Sequence, residues 1–456
     1  MNFKRMKWLI IFIFVSSCNN AVKEINKDLR LFEEIVEQKR NSLLSEYIKN
    51  QSIDYKNVFP DLNIDSLNID FATVSRIIGT NCLHCHTPNG NAPFSLNTTN
   101  DLIKRKEVIK EVLTKKIMPP WMADNSYSSF FNAPKISDQE RAIVCKWLDN
   151  ETSKTNNEIK NNTSIKSIVK DIPDMILEQK KHIISSNDDT YECFIYDPKL
   201  KEDIYVSGIE FKSDNPEVIH HLMLYLDTND VIRKNNCWDC KNDGIVNKLL
   251  PIQSWSKGMR PFELTAGLGY TIPKGSRFLL QAHYGNENNK GREVKTSLKI
   301  HFADNFKENV NFLILNKLDI FYPADSIMVE TLSYRTKETI SVLGVVPHAH
   351  FLTKKIEVFA ISPNKKEVIQ LLKIPNWDYL WQGQYIYNSP IIIPKGSTVY
   401  CNLVIDNTVN NPTQPNYPVR DVTYQTNSNE EMFVLVLLNK HYKKGDEKLE
   451  IARFFE

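Results

Sequence analysis

The chain has 456 residues, enough for roughly three domains of ordinary size. Its 57 Lys and Arg residues nearly balance its 55 Asp and Glu residues, and the net formal charge of +2 lacks the basic excess expected of a dedicated nucleic-acid-binding protein. Hydrophobic residues make up 41% and charged residues 25%, which predicts a globular fold and excludes bulk disorder. The only long apolar run in the sequence lies at the N-terminus, so a polytopic membrane protein is excluded as well.

The N-terminus has the features of an export signal. Three basic residues among the first seven precede residues 8–15 (WLIIFIFV), an apolar run too short to span a membrane. The sequence Val-Ser-Ser-Cys ending at Cys18 resembles a bacterial lipobox, which implies removal of residues 1–17 and lipidation of Cys18. An ordinary signal peptide followed by a chance cysteine is the alternative. We therefore predict an exported, membrane-anchored lipoprotein in the periplasm or at the cell surface, where disulfides can form.

The first part of the mature chain is predicted to be helical. Residues 18–67 form the lipid anchor and a charged stalk with helical spacing, and residues 68–150 form a helical domain. Ser137, followed three positions later by Glu140, is a capping-box pattern that opens a helix with a buried apolar face. Residues 151–167 are polar and lack a core pattern, which indicates a linker.

Beyond residue 168, short runs of β-branched and aromatic residues alternate with turns rich in Pro, Gly, Asn and Asp. Ile-Pro-Lys-Gly-Ser occurs at 272–276 and again at 393–397, which indicates two related domains or a common turn used twice. We expect a mainly β fold with an α-helical N-terminal domain, its β part consisting of two jelly-roll-like antiparallel sandwiches at 168–310 and 311–456.

Cys82, Cys85 and His86 form a C-x-x-C-H motif. Two thiols at this spacing can form thioethers with the haem vinyl groups, and the following His can supply the proximal iron ligand. A disulfide or half of a zinc site is the alternative, but zinc requires two further ligands, and none is evident within residues 50–150. We predict one covalently bound haem c.

The distal haem ligand is expected to be Met118, in the sequence Ile-Met-Pro-Pro-Trp, with Met122 as the second candidate. His84, between the two cysteines of the motif, is expected at the surface. The sequences TNCLHCHTPNGNAPFSL and IMPPW resemble the cytochrome c domain of some bacterial fusion proteins, over about residues 68–150.

Five histidines of the β region occur in patterns suited to metal binding. His220 and His221 are adjacent in a predicted strand, where neighbours point to opposite faces, so both reach one metal only if the strand bulges or ends there. His348 and His350 share a strand face and can chelate one ion, and His283 ends the strand FLLQAHY. Ordinary core or surface histidines are the alternative. Three further histidines have contexts that suggest no ligand role: His182, His301 and His441.

The order of these motifs carries a second resemblance. A His-His pair, Gln281-Ala-His283, His348-Ala-His350 and Glu430-Glu-Met432 follow one another as in the type II copper, ascorbate-dependent monooxygenases, the family of peptidylglycine α-hydroxylating monooxygenase and dopamine β-monooxygenase. The resemblance covers about residues 168–456. It implies two copper ions, with these ligands: His220, His221 and His283 for the first, and His348, His350 and Met432 for the second. It also places Gln281 beside His283 as a supporting residue. Imidazole suits copper in both oxidation states, and a thioether favours Cu(I).

The resemblance implies an enzyme that inserts one atom of O2 into a substrate C–H bond, with Met432, His348 and His350 at the reacting copper. The other copper stores an electron, and the haem, reduced by an external donor, replaces or supplements ascorbate. The alternative function is a non-enzymatic, membrane-tethered electron-transfer or copper-binding lipoprotein; a structural lipoprotein with haem and no copper is a third.

The sequence departs from the peptide-amidating relative at the positions that hold its substrate's carboxylate. That relative has an Arg two residues before the His-x-His pair and polar residues two and four positions after the Met ligand. Here these positions are Val346, Val434 and Val436. Since an apolar pocket does not compensate for desolvating a carboxylate, the partner expected with O2 is a less polar small molecule.

Five cysteines remain. Cys237 and Cys240 form a C-x-x-C pair without a following His, so a second haem is not expected. A disulfide from Cys193 to Cys237 or to Cys240 is predicted, with the choice open. Cys145 and Cys401 are expected to be buried free thiols.

Overall fold

The computed structural model describes residues 69–455 except 89–91, 151–155, 160–171, 188–189, 234–236, 242, 286–288 and 365–366, together with Phe59 and Leu62. The expected signal peptide 1–17, Cys18, nearly all of the stalk 18–67 and most of the linker 151–167 lie outside the described residues. The chain divides into two compact units, Met1–Leu67 and Asn68–Glu456. In the described part, no helix combines the length and the apolar character needed to cross a membrane.

The second unit begins with four α-helices: α1 (Phe71–Asn81), α2 (Thr99–Lys104), α3 (Lys106–Thr114) and α4 (Asp138–Asn150). The predicted capping box is confirmed at α4, where the Ser137 amide donates to the Glu140 carboxylate and the Glu140 amide donates to the Ser137 hydroxyl, both at 3.1 Å. Helix α4 buries the residues that its periodicity indicated: Ile143, Val144, Trp147 and Leu148.

The strands before residue 310 form two main sheets and one short pair. The seven-stranded sheet contains β1 (Met175–Glu178), β4 (Ile204–Ser213), β8 (Phe262–Leu264), β9 (Leu268–Ile272), β12 (Thr296–Phe302), β13 (Glu308–Asn309) and, from the end of the chain, β24 (Ala452–Phe454). The five-stranded sheet has the order β6 (Cys237–Asp239), β3 (Thr190–Tyr196), β10 (Arg277–Tyr284), β5 (Ile219–Asp227), β7 (Leu250–Ser256). The short pair is β2 (His182–Ile183) with β11 (Glu293–Val294).

The strands after residue 310 form two four-stranded antiparallel sheets. The first has the order β14 (Asn311–Lys317), β23 (Phe433–His441), β17 (Ile340–Ala349), β20 (Tyr385–Ile393). The second has the order β16 (Ser326–Arg335), β21 (Thr398–Asn407), β18 (Thr353–Ile361), β19 (Val368–Ile374). A short pair joins β15 (Phe321–Tyr322) and β22 (Val422–Thr423). The described fold is therefore mainly β, as expected. Short 3₁₀ helices occupy Pro216–Val218, Ile245–Lys248 and Asp446–Lys448.

The segment between α3 and α4 packs against the second group of strands. The Phe131 amide donates to the Ile386 carbonyl at 2.7 Å, and the rings of Phe130 and Tyr387 stack with centroids 5.3 Å apart. Trp121 meets Tyr385 edge-on, with centroids 5.0 Å apart. These aromatic contacts join the helical part to the hydrophobic core that runs through both groups of strands.

Candidate metal centre

A β-bulge brings His220 and His221 to one point. Where β5 pairs with β10, His221 lies opposite His283 and Ile219 lies opposite Tyr284, so His220 is an extra residue without a partner position across the ladder. Such a bulge interrupts the alternation of side chains and re-aims one of them. The structure thus supplies the irregularity that the adjacent histidines required.

Three imidazole nitrogens converge at this bulge. The Nδ1 atom of His220 lies 3.0 Å from Nδ1 of His221 and 3.0 Å from Nδ1 of His283, and the last two are 3.4 Å apart. This spacing fits three nitrogens around one metal at about 2 Å from each. Burial, and then the neighbouring imidazoles, hold the pKa of His221 well below its usual value, so this ring is neutral and can offer a lone pair.

His348 and His350 lie at the end of β17 with their Nδ1 atoms already engaged. Nδ1 of His348 contacts the side-chain oxygen of Gln382, and Nδ1 of His350 lies 3.2 Å from the Glu430 carbonyl. An imidazole held in this way presents Nε2 as its metal-binding nitrogen. Burial lowers the pKa of His348 to about 4, which keeps that ring neutral.

Met432 lines the same cleft as these two histidines and is 9% exposed. Its neighbour Glu431 was not singled out from the sequence. The buried Glu431 carboxylate accepts from the amides of His350 at 2.5 Å, Leu352 at 3.0 Å and Met432 at 3.0 Å. It therefore ties the end of β17 to the Met432 segment, and desolvation raises its pKa to about 7 against the effect of these bonds.

Both groups of histidines contribute to the lining of one cleft, His221 from the first group and His348 and His350 from the second. The ring centroids of His221 and His348 are 5.8 Å apart. Tyr379 lies between the groups, stacked on His220 with centroids 4.8 Å apart and edge-on to His350 at 5.7 Å. One open space therefore adjoins both sets of ligand-type residues, so a small molecule could meet both.

The remainder of the cleft is largely apolar. Val346, Val434 and Val436, the positions of the missing polar anchors, all line it. None of its described lining residues is Asp, Glu, Lys or Arg.

Gln281 also lines the cleft, with its amide nitrogen 3.7 Å from the Cys240 sulfur. Cys240 forms a disulfide with Cys193, which resolves the choice left open by the sequence. Cys237 is a free thiol. Cys145 and Cys401 are buried free thiols, as expected.

The C-x-x-C-H motif follows α1 directly. Cys82 and Cys85 are both free thiols, so the disulfide alternative does not occur between them. Nδ1 of His86 lies 2.9 Å from the Phe94 carbonyl, which leaves Nε2 for an iron. Free thiols and a fixed imidazole are the residues that covalent haem attachment needs, so the donor set fits the group.

The methionine candidates have different surroundings. The sulfur of Met122 accepts from the Asp378 amide at 3.3 Å and so faces the β part. Met118 is 37% exposed, and its carbonyl accepts from Arg141 at 2.6 Å.

His84 was expected at the surface, and this expectation was wrong. It is half-buried and lines a second cavity, and burial lowers its pKa to about 4. Trp255 lines both this cavity and the cleft.

These features define a β-sheet protein with two adjoining sets of metal-ligand residues. No family model matches the chain. Over 108 residues it is 31% identical to peptidyl-glycine alpha-amidating monooxygenase A of Xenopus laevis and, over the same length, 29% identical to the B form. The matched part is 23% of this chain but only 11% and 12% of those proteins. This partial similarity supports a copper monooxygenase-like module.

Solved structures overlay only loosely. The major capsid protein P2 of bacteriophage PM2 is 10% identical, with 60% of this chain and 99% of that chain covered at a TM-score of 0.25. The VP2 subviral particle of infectious bursal disease virus is 6% identical, with 61% and 74% covered at a TM-score of 0.18. Overlays at these scores bear on neither fold nor function.

Proposed function

We propose that this protein is a copper-dependent monooxygenase that hydroxylates a substrate C–H bond. The balanced reaction takes R–H, O2, two electrons and two protons to R–OH and H2O. The observation that carries the proposal is the convergence of three Nδ1 atoms, 3.0 to 3.4 Å apart, beside a cleft that one of these histidines shares with a second His, His and Met set. The partial similarity to two named monooxygenases supports the same chemistry.

The two sets of residues would hold one copper each. The first is His220, His221 and His283; the second is His348, His350 and Met432. Bound copper supplies one-electron transfer and O2 chemistry. The protein's own contribution is orientation: Gln382 and the Glu430 carbonyl fix two imidazoles, and the Tyr379 ring packs against His220 and His350.

We also propose that residues 68–150 are a cytochrome c domain. Cys82 and Cys85 would carry the haem, His86 would be its proximal ligand, and Met118 its distal ligand, because Met122 is engaged elsewhere. Such a haem supplies an electron reservoir filled by an external donor. Trp255 lies between the cavity beside His84 and the cleft, so the helical part adjoins the wall of the proposed active site.

The substrate we propose is a small molecule less polar than a peptide carboxylate. Val346, Val434 and Val436 present only methyl groups to the cleft, and an unpaired carboxylate there would lose its hydration without compensation. Lipidation at Cys18 would hold the exported protein at a membrane, with residues 168–310 and 311–456 as its two copper-binding sandwich domains.

The test is an isotope experiment on the haem-bearing, copper-loaded protein. A panel of apolar substrates is incubated with ¹⁸O2 and a reductant, and products are examined by mass spectrometry. We expect about two coppers retained per chain and ¹⁸O in one product; Met432→Ala should abolish the product while haem reduction continues. Met328→Ala, on β16, is the matched control and should keep the activity.

The non-enzymatic alternative predicts a different outcome. A copper-binding electron carrier would retain copper and reduce its haem but release no ¹⁸O-labelled product with any substrate. Failure to retain copper would contradict the ligand sets themselves. A carboxylate-bearing product would contradict the apolar substrate.

A further inference from the structure

A third group of metal-ligand residues lies outside the cleft. His182 on β2, Glu192 on β3 and Cys237 on β6 each bring one ligand atom within 4.8 Å of the others. On β3, Tyr191 lies opposite His283 of β10, whereas Glu192 lies opposite Ala282. Because successive side chains alternate across a sheet, this group lies on the face opposite the His283 ring. It is therefore separate from both proposed copper sites.

The Glu192 carboxylate and Nε2 of His182 have few hydrogen-bond partners among the described residues. Glu192 is 4% exposed, and one of its carboxylate oxygens contacts Nε2 of His182. Both of these atoms are buried, and apart from this mutual contact neither has a hydrogen-bond partner among the described residues. The other Glu192 oxygen has only a long contact, 3.5 Å, from the Ser185 hydroxyl. A cation ligated by these side chains would satisfy the carboxylate more fully than the single imidazole and the long hydroxyl contact do.

The third side chain adds a sulfur donor. Sγ of Cys237 lies 3.9 Å from Nδ1 of His182. The nearby disulfide uses Cys193 and Cys240, which leaves Cys237 as an exposed free thiol. In an exported protein an unpaired thiol is prone to oxidation unless it is ligated or buried.

A second His–Glu pair in the same part of the chain provides the comparison. Nε2 of the buried His301 lies 2.8 Å from the Glu210 carboxylate, an ordinary hydrogen bond. Among the described residues, no third His, Cys, Asp or Glu side chain lies close enough to share a metal ion with that pair. The same two residue types thus form a simple pair there, whereas Cys237 adds a third ligand-type side chain to His182 and Glu192.

We propose that His182, Glu192 and Cys237 bind a zinc ion. Zn²⁺ accepts imidazole nitrogen, carboxylate oxygen and thiolate sulfur together, and three protein ligands leave a fourth position for water. A thiolate distinguishes this site from the proposed copper sites, whose ligands are imidazoles and a thioether. The proposal does not depend on the monooxygenase function.

The experiment measures protection of one thiol. The full-length, haem-bearing protein is first loaded with copper and then treated with about one equivalent of Zn²⁺ and with iodoacetamide. Alkylation of Cys237 is followed by peptide mass spectrometry. We expect Zn²⁺ to slow alkylation by about tenfold or more and one zinc per chain to be retained after desalting, because a metal-bound thiolate is a poor nucleophile. The Cys237→Ser variant should lose that zinc.

Two ligand variants and one control decide the assignment. Glu192→Gln and His182→Ala should each remove the protection, and the isosteric Glu192→Gln serves if the alanine variant does not fold. Glu210→Gln disrupts the comparison pair and should leave the protection intact. The proposal fails if Zn²⁺ does not change the alkylation rate, or if protection is undiminished in both ligand variants, since the thiol alone would then bind the ion.

Discussion

At the scale of single residues, the proposed ligand histidines differ in which nitrogen is left for a metal. His348 and His350 commit Nδ1 to oxygen atoms and leave Nε2. His220, His221 and His283 instead turn Nδ1 toward one another. Outer hydrogen bonds therefore orient the second set, whereas the backbone bulge orients the first. Substitution of an outer hydrogen-bond partner should therefore weaken metal binding at the second set, whereas a change in the backbone at the bulge should weaken it at the first.

Gln382→Leu tests this orientation at one site. The change removes the oxygen that contacts Nδ1 of His348 while keeping the side chain's bulk. We expect Cu(I) affinity at the proposed second copper site to fall by about 10- to 100-fold, because an imidazole without its outer partner is no longer held in one orientation. Competition with a chromogenic Cu(I) chelator measures the loss.

Gln384→Leu is the matched control. Gln384 lies two residues away and bonds to Ser254, at 3.0 Å, rather than to a histidine. Its substitution should leave both copper affinities within about twofold of wild type. Equal losses in the two variants would indicate general loosening of the segment and contradict an orienting role for Gln382.

At the scale of elements, the sequence best predicted the features that depend on only a few consecutive residues. The capping box at Ser137 formed as expected because it needs only four consecutive residues. The repeated Ile-Pro-Lys-Gly-Ser forms the same turn twice, with Gly275 at φ +75° and Gly396 at φ +83° ahead of β10 and β21. The sequence required either a bulge or a strand end at His220 and His221 but could not decide between them, because the bulge depends on the register with β10.

The absence of a side chain at Gly383 leaves room for the Trp381 ring, which contacts the segment before α4. A Cβ atom at Gly383 would lie 2.2 Å from the Trp381 ring. Trp381 in turn packs edge-on against Trp121, with centroids 6.0 Å apart. We expect Gly383→Ala to displace the indole and to lower the free energy of unfolding by about 1–3 kcal/mol. Urea denaturation measures the loss, and faster proteolysis between α3 and α4 should accompany it.

Gly285→Ala is the control for this substitution. The nearest heavy atom that its added Cβ would meet is 4.0 Å away, an ordinary contact. Its free energy of unfolding should stay within about 0.5 kcal/mol of wild type. A similar loss in both variants would show that the cost comes from the change at any glycine and not from the Trp381 contact.

At the scale of the whole molecule, the features missed from the sequence depend on long-range pairing. His182 lies 10 residues before Glu192 and far from Cys237 in sequence, and its context suggested no ligand role; only the neighbouring β2, β3 and β6 strands bring the three together. Likewise β24, at the end of the chain, pairs with β8 of the first group. Neither arrangement leaves a periodic or spacing signal, because each depends on which strand lies beside which.

A buried ion group also joins the two groups of strands. Nζ of Lys440, on β23, lies 2.6 Å from the Glu308 carboxylate of β13 and 2.7 Å from the Asp446 carboxylate. Lys440 is 1% exposed. Desolvation opposes ionisation of both acids, but the bonds from Lys440 hold the pKa of Glu308 and of Asp446 below their usual values. The carboxylates therefore stabilise the fold where they are ionised.

The stability that these two carboxylates contribute depends on pH. Depressed carboxyl pKa values contribute stability that is present above the ordinary values of 4.5 for Glu308 and 3.8 for Asp446 and is lost as the pH falls through the folded-state values. Lys440→Met leaves the buried Asp446 carboxylate and the half-buried Glu308 carboxylate without this cation and should lower the free energy of unfolding by about 3–5 kcal/mol at neutral pH. The deficit should shrink on acidification, as protonation relieves the uncompensated charges.

Lys443→Met is the matched control for the buried lysine. Lys443 also reaches Glu308, at 3.1 Å, but its side chain is 64% exposed, so its loss should cost less than about 1 kcal/mol. Urea denaturation of wild type and both variants, at neutral pH and near pH 4, measures all three effects. If the Lys440→Met deficit is the same at both pH values, the lysine stabilises the fold by packing its methylene stem rather than by holding two carboxylates ionised.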